Sequence, residues 1–316
     1  MKVSKLPAII NVEVIRGICP CNCVHCPVGI LPQNKREEYL GIRHMDINIF
    51  KKICNEICCE KGVTLRLHGV GEPILWNDLL EAITYTKERN IITWIFTSLV
   101  TNDYNILKML CENVSIIEVS VNADNEKDYY ASKGINEFNK VKSNIEFMSR
   151  YIKENQLNSR LIVSRVQTED EAKNKAFVSY WMKTGLVKDA FIREYHSYNH
   201  LLKELKDEET MYKEPCIVHW KRFNISIDGK VIVCFNELFK QNIMNECYLG
   251  DIKEKSVEEI WHSDRLEEIR KADIENKYDD KKFSKDFPCR KCLNCQGKED
   301  RVTSEFQVAE LQNVNE

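Results

Sequence analysis

The sequence contains no apolar run approaching the ~20 residues that a membrane span needs; its longest, such as residues 91–97 and 190–192, fall far short. Residues 1–7 are basic but lack the apolar stretch and cleavage site of a signal peptide, so secretion is not expected. An excess of positive charge is missing too. The 46 Lys and Arg against 49 Asp and Glu leave a net charge of −3, with no basic footprint for a polyanion. Neither nucleic acid nor a membrane is therefore an expected partner, and a cytoplasmic location is expected. No internal repeat or low-complexity segment is present. What the sequence does have is 14 cysteines in 316 residues. In a reducing compartment, clustered cysteines more often bind metal or do redox chemistry than form disulfides. The balance of 43% hydrophobic and 30% charged residues is that of a globular chain. Its length suits one large domain, or a barrel-sized domain with a small appendage.

The cysteines are unevenly placed. Cys19, Cys21, Cys23 and Cys26 form one cluster and Cys289, Cys292 and Cys295 another, with Cys216 and Cys234 upstream of the second. Between the clusters the pattern alternates. Strands are expected over residues 8–15, 63–67, 91–97, 115–121, 160–166 and 188–195. Helices are expected over 46–61, 77–89, 104–111, 140–153 and 169–184, with Asp46 as an N-cap and Gly62 as a stop. Six strands alternating with helices make an α/β fold of parallel βαβ units, whose active sites lie at the C-terminal strand ends. The first cysteine cluster occupies such a loop. Residues 196–215 read as a polar connection. A different unit then begins at Cys216, with strands 223–227 and 230–234 joined by an Asp228-Gly229 hairpin and a helix over 256–271. Cys54, Cys58 and Cys111 have helical spacing among apolar residues and read as small core side chains.

Cys19, Cys23 and Cys26 have Cys-x3-Cys-x2-Cys spacing. Three thiolates can hold three irons of a [4Fe–4S] cluster and leave the fourth open, the mark of a reactive metal site. Cys21, Cys23 and Cys26 form an alternative set, and Cys-x2-Cys pairs also bind zinc. Cys216 and Cys234 straddle the hairpin and can meet, and Cys289, Cys292 or Cys295 supply further ligands. By count alone that second set suits zinc or an iron–sulfur cluster.

The loop Cys19-Pro-Cys-Asn-Cys-Val-His-Cys26-Pro resembles the signature loop of radical S-adenosylmethionine (SAM) enzymes. The resemblance implies a partial (βα)6 TIM-like barrel and a [4Fe–4S] cluster on Cys19, Cys23 and Cys26, whose free iron is chelated by SAM. It also implies cleavage of SAM to a 5′-deoxyadenosyl radical and a reductant such as flavodoxin or ferredoxin. His25 takes the place of a residue that packs near the adenine. His68-Gly-Val-Gly-Glu-Pro73 is similar to the family's Gly-Gly-Glu stretch, which places Gly71 and Glu72 at SAM's ammonium, although Val70 interrupts the glycine pair. Ser120 and Asn122 match the polar strand end that contacts SAM's ribose or carboxylate.

Residues 216–295 resemble the SPASM/twitch extension of the same enzymes. This implies one auxiliary [4Fe–4S] cluster on Cys216, Cys234, Cys289 and Cys292, with Cys295 as the substitute ligand. The expected organisation is a barrel over residues 1–200, a small C-terminal iron–sulfur domain over 201–300 and a polar tail over 301–316. The overall pattern is most similar to single-auxiliary-cluster members that dehydrogenate an aminocyclitol. It implies an oxidoreductase acting on a small polyol, aminocyclitol or sugar, with the auxiliary cluster accepting an electron. Peptide modification is the rival within the family. The seven residues before the first strand are expected to leave no room for a leader-binding domain, and Cys247 or Cys21 would be the hydrogen donor of an epimerase. An iron–sulfur electron carrier or a zinc-stabilised scaffold is the reading outside catalysis. Tyr195, His196, Tyr198 and His200 cluster after the last barrel strand, but none is assigned as the catalytic base.

Overall fold

The structure is a computed structural model that describes residues 3–204, 215–290 and 292. Cys295 and the 301–316 tail lie outside the described residues. The strands are β1 (Ile9–Arg16), β2 (Arg43–His44), β3 (Thr64–Val70), β4 (Ile92–Thr97), β5 (Ile116–Ser120), β6 (Arg160–Val166), β7 (Asp189–Arg193), β8 (Arg222–Ile225), β9 (Lys230–Ile232) and β10 (Tyr248–Asp251). They form one sheet in the order β10-β9-β8-β1-β3-β4-β5-β6-β7, with β2 paired to β1. The six strands expected from sequence are β1 and β3 to β7, all mutually parallel.

Alternation along these strands divides the molecule into two faces. Leu65, Leu67, Ile95, Ile117, Val119 and Val163 pack outward under the helices in the main core. On the opposite face Trp94, Ile116, Ile162 and Phe191, with Phe96 against them, make a separate apolar cluster inside the curved sheet. Because β1 is buried along all eight residues, both faces of the sheet are covered at its centre. Among the described residues no helix is long and apolar enough to cross a membrane.

The C-terminal unit is not detached from the barrel sheet. Strand β8 pairs in parallel with β1, from Ile9 opposite Arg222 to Val12 opposite Ile225, and continues into the β8–β9 hairpin. Gly229 takes φ +86° at the turn, where a side chain would be strained. A second apolar cluster joins Val28 and Leu40 near the cysteine loop to Ile232, Leu238, Phe239 and Phe287. The first cysteine loop and the C-terminal unit therefore share a core.

Two helix boundaries differ from expectation. The helix that begins after Asp46 spans Ile47–Ile57 and stops four residues short of 61. Asp46 does cap it, accepting from the Asn48 amide. The last helical bond runs from the Cys58 amide to Cys54, after which Glu60 bonds Ile57 in a tighter turn. The stretch 256–271 is two helices, Val257–Trp261 and Asp264–Ile274. Two cap signals lie in the one run. Ser256 and Glu259 form a reciprocal capping box, and Ser263 accepts from Leu266 to start the second helix.

Candidate active site

The loop after β1 is shaped by its own backbone and by one arginine. The Cys26 amide bonds the Cys23 carbonyl and the Ile30 amide bonds that of Cys26, which coils residues 23–30. Gly29 packs so closely on Cys23 that a Cβ there would collide with the Cys23 backbone. Arg36, 2% exposed, donates from Nη1 to the Cys19 carbonyl at 2.8 Å and from Nε to that of Leu31 at 3.1 Å. Its Nη2 reaches Asn22 Oδ1 at 2.7 Å and the Gly29 carbonyl at 3.2 Å. From the far side the helix Glu126–Lys133 delivers Lys133, 2% exposed, and the Asn22 amide bonds the Lys133 carbonyl at 2.7 Å.

These surroundings make the thiols a coupled set. Cys23 is pushed up to about 12, first by its hydrogen bond with Cys21 and then by burial. Burial raises Cys26 to about 11, with the charge of Cys23 adding to it. Cys21, bonded to Cys19, also rises to about 12. Burial works against the charge on Lys133, but Cys23, Cys21, Cys19 and Glu72 outweigh it and raise its pKa. Packed thiols that resist ionisation alone become thiolates when a positively charged metal centre compensates them, so the donor set fits an iron–sulfur cluster.

At the ends of β3 and β4, the Glu72 carboxylate accepts from the Ser98 amide at 2.7 Å and from Ser98 Oγ at 2.5 Å. It also caps the short helix Pro73–Leu75 through the Ile74 amide. Gly71 passes the Ile18 carbonyl so closely that a Cβ would sit 2.7 Å from it. Asn122, at φ +64°, accepts on Oδ1 from the Val166 amide at 2.6 Å, and its carbonyl accepts from Arg165 Nη1 at 2.6 Å. Asn122 thus ties β5 to β6 whatever else it touches.

The second thiol set comes from three segments. Cys216 precedes a short helix, Val218–Lys221, and Cys234 follows β9. Cys289 lies in the turn Pro288–Arg290, and Cys292 lies just beyond it. Burial drives Cys234 well above the usual thiol range, with Cys292 and Cys216 adding to the shift. Cys289 is raised likewise by burial and then by Cys292, Cys234 and Cys216. The four thiols therefore share one electrostatic environment. His219 organises it: Nδ1 bonds Asp273 Oδ2 at 3.2 Å and Nε2 lies 3.6 Å from Cys289 Sγ, while the same Asp273 oxygen accepts from the Cys216 amide at 2.6 Å.

Both sets open on one cavity of about 360 Å³, and all twelve candidate residues lie on its wall. These are Cys19, Cys23, Cys26, His25, Gly71, Glu72, Ser120, Asn122, Cys216, Cys234, Cys289 and Cys292. Cys21 also lines it. Cys247, fully buried with Sγ 3.9 Å from Glu237 Oε2, is not among the lining residues. Of the residues after β7, His196, Tyr198 and Asn199 reach the cavity. Tyr198, Asn199 and His200 all take left-handed backbone at φ 54°, 54° and 68°, a costly run for residues other than glycine. It is held by Tyr198 packing edge-on to Phe239 at 4.7 Å and by Asn199 Nδ2 donating to Glu237 at 2.5 Å. Sequence reasoning missed Arg36, Lys133, His219 and Ser98; none carries a motif of its own.

Residues 216–296 match the SPASM family, described as an iron–sulfur cluster-binding domain. No curated protein matches the sequence. Among solved structures, SuiB of Streptococcus suis, bound to its precursor peptide SuiA, is similar at a TM-score of 0.65 and 13% identity. That match covers 84% of this chain, which spans 66% of SuiB, just under two thirds. The anSMEcpe structure with bound S-adenosylmethionine matches at 0.63 and 14% identity over 97% of this chain and 98% of its own. BtrN, the 2-deoxy-scyllo-inosamine dehydrogenase, in complex with AdoMet and 2-DOIA, matches at 0.58 and 17% identity over 93% and 96%. The chain thus shares the partial-barrel fold of these three structures, all radical SAM SPASM enzymes, and its residues 216–296 match the SPASM iron–sulfur cluster-binding domain.

Proposed function

We propose that the protein is a radical SAM oxidoreductase that dehydrogenates a small polyhydroxylated molecule, a sugar or an aminocyclitol. Cys19, Cys23 and Cys26 would hold the [4Fe–4S] cluster that binds SAM, and Cys216, Cys234, Cys289 and Cys292 an auxiliary [4Fe–4S] cluster. The observation that carries this reading is the single cavity that both thiol sets and the SAM-motif residues share. When bound, the clusters and SAM supply a 5′-deoxyadenosyl radical that takes a hydrogen atom and an acceptor for the electron left behind.

The chain's own residues bind and orient. Ser98 fixes the Glu72 carboxylate by two hydrogen bonds, so that it faces an ammonium group without reorganisation. The close approach of Gly71 to Ile18 leaves backbone rather than side chain on the wall there. His25, which hydrogen-bonds Cys23 and lines the cavity, would pack near the adenine. Four thiolates on the auxiliary cluster would leave it no open iron, which suits electron transfer. An external one-electron donor such as flavodoxin or ferredoxin would start each turnover.

A cavity of about 360 Å³ is within the range for a small ligand, and BtrN, of similar length, was solved with the small molecule 2-DOIA. The peptides bound in the SuiB and anSMEcpe structures favour a second reading, in which one side chain of a peptide enters the same space. Anaerobic reconstitution tests the proposal. About eight irons per chain, four for each cubane, reductive SAM cleavage and transfer of deuterium from a labelled carbinol to 5′-deoxyadenosine support it. Zinc in both sites with no SAM cleavage would make the protein a scaffold, and iron without SAM cleavage would make it an electron carrier.

A further inference from the structure

The dehydrogenation proposed above takes a hydrogen atom, an electron and a proton from one carbinol. Under that reading the first two leave toward the two thiol sets, and the proton needs a base on the wall between them. Most ionisable groups on the wall are already engaged. The Glu72 carboxylate accepts from Ser98 and from the Ile74 amide. Asp273 accepts from the Cys216 amide and bonds His219, which also meets Cys289. His25 bonds Cys23, and His196 packs on Tyr198. Burial raises the Tyr198 phenol, which therefore keeps its proton.

His68 is different. It alternates on β3 with the core residues Leu65 and Leu67, so it turns away from the helices and lines the cavity. It opens the stretch that ends in Gly71 and Glu72, and its ring centroid lies 3.9 Å from that of Phe235, the residue after Cys234. Phe96 meets it edge-on at 5.7 Å. His68 therefore stands where the SAM-motif end of the cavity meets the second thiol set. Its half-buried imidazole touches aromatic rings and has no hydrogen-bond partner among the described residues. Burial, and after it the charges of Arg66, Arg193 and Arg222, pull its pKa well below the ordinary value, so the ring waits neutral with one nitrogen able to accept. A weak base suffices for this chemistry. The hydroxyl of a carbinol radical is far more acidic than that of the parent alcohol, and it becomes a protonated carbonyl as the electron leaves.

We infer that His68 is the general base, accepting the hydroxyl proton of the carbinol on an imidazole nitrogen. This rests on the proposed radical dehydrogenation. The carbinol C–H bond breaks homolytically and its hydrogen goes to the 5′-deoxyadenosyl radical. The O–H proton goes to His68, the remaining electron goes to the auxiliary [4Fe–4S] cluster, and the C–O bond becomes C=O. With the acceptor packed on Phe235, proton and electron leave toward the same side, which avoids stranding a cation in a buried site.

Two measurements test this. Diethyl pyrocarbonate reacts only with a neutral, reachable imidazole. At about pH 6, below the ordinary imidazole pKa, it should modify His68 of the reconstituted protein, as mapped by mass spectrometry; an unmodified His68 would overturn the inference. Turnover is then followed with 2-deoxy-scyllo-inosamine, myo-inositol and glucose as probes, each deuterated at its carbinol carbons. In His68→Gln deuterium should still reach 5′-deoxyadenosine while oxidised product falls about a hundredfold. In His68→Ala free imidazole should restore product at least fivefold. Undiminished product from His68→Gln would overturn the inference, as would a His68→Ala protein that moves deuterium but is not restored by imidazole. Loss of deuterium transfer together with product in both variants would make the role structural and overturn it too. The wild-type protein separates the two failures. If it moves no deuterium from any probe, the dehydrogenation reading falls and the base with it; if it does and His68→Gln matches its product, only the base is wrong.

Discussion

Replacing Arg36 by Met removes the buried side chain that ties the first cysteine loop together at four points while keeping much of its apolar volume. Four hydrogen bonds are lost, to Cys19, Leu31, Gly29 and Asn22. A hydrogen bond from a charged donor contributes about 1.5–3 kcal/mol net, and each buried carbonyl left without a partner costs a similar amount. Because neighbouring bonds are not additive and water will reach part of the loop and its freed carbonyls, about 4 kcal/mol, below the four bonds' own sum of about 6–12 kcal/mol, is the working figure. At about 1.4 kcal/mol per decade, the ordered loop loses about a thousandfold in equilibrium constant. The assay is iron content and reductive SAM cleavage after anaerobic reconstitution of Arg36→Met. Iron should fall from about eight to about four per chain, with SAM cleavage lost and the auxiliary cluster's signal retained. Arg36→Lys should lie between, since one ammonium cannot replace a forked donor. Full iron content and wild-type SAM cleavage in Arg36→Met would refute the assignment of Arg36 as the loop's organiser.

Further outcomes follow from the same geometry. Cys23→Ala should abolish SAM cleavage, whereas Cys234→Ala should spare uncoupled cleavage but stop product formation; full turnover by the Cys234 variant would remove the auxiliary cluster from the reaction. Gly29→Ala forces a methyl group into the Cys23 backbone and should halve the iron content without lowering that of the auxiliary site, as read by electron paramagnetic resonance. Asp273→Asn weakens the support of both His219 and the Cys216 amide. It should speed the loss of about four irons to a chelator severalfold, and unchanged release kinetics would show that Asp273 does not support that site.

Much of the barrel was legible because its strands carry the signal that sequence transmits best, a hydrophobic alternation bounded by helices. The cysteine sets stood out because their spacing restricts which thiols can share a metal, and the structure places both on one cavity wall. What stayed hidden has a common cause. The helices Gln33–Leu40 and Glu126–Lys133 are mostly polar, and each buries a cation, Arg36 and Lys133 respectively, beside a single large side chain, Leu40 and Tyr129. Burial of a long charged side chain inverts the pattern on which sequence reading depends. Strand β10 is a half-buried Tyr-Leu-Gly-Asp with no alternation to detect. The helix over 256–271 reads as one because both of its halves are amphipathic, and only the capping serines divide it. The shared cavity could not be read from sequence at all. It depends on β8 docking beside β1, which brings Asn11 and Asn224 into contact across 213 positions.

The measurement that bears most directly on the account is electron paramagnetic resonance of the reduced, reconstituted protein with and without SAM. Two [4Fe–4S] signals are expected, of which SAM shifts one. The shifted signal should vanish in Cys23→Ala and persist in Cys234→Ala. A spectrum that SAM leaves unchanged, or a shifted signal that survives in Cys23→Ala, would contradict it.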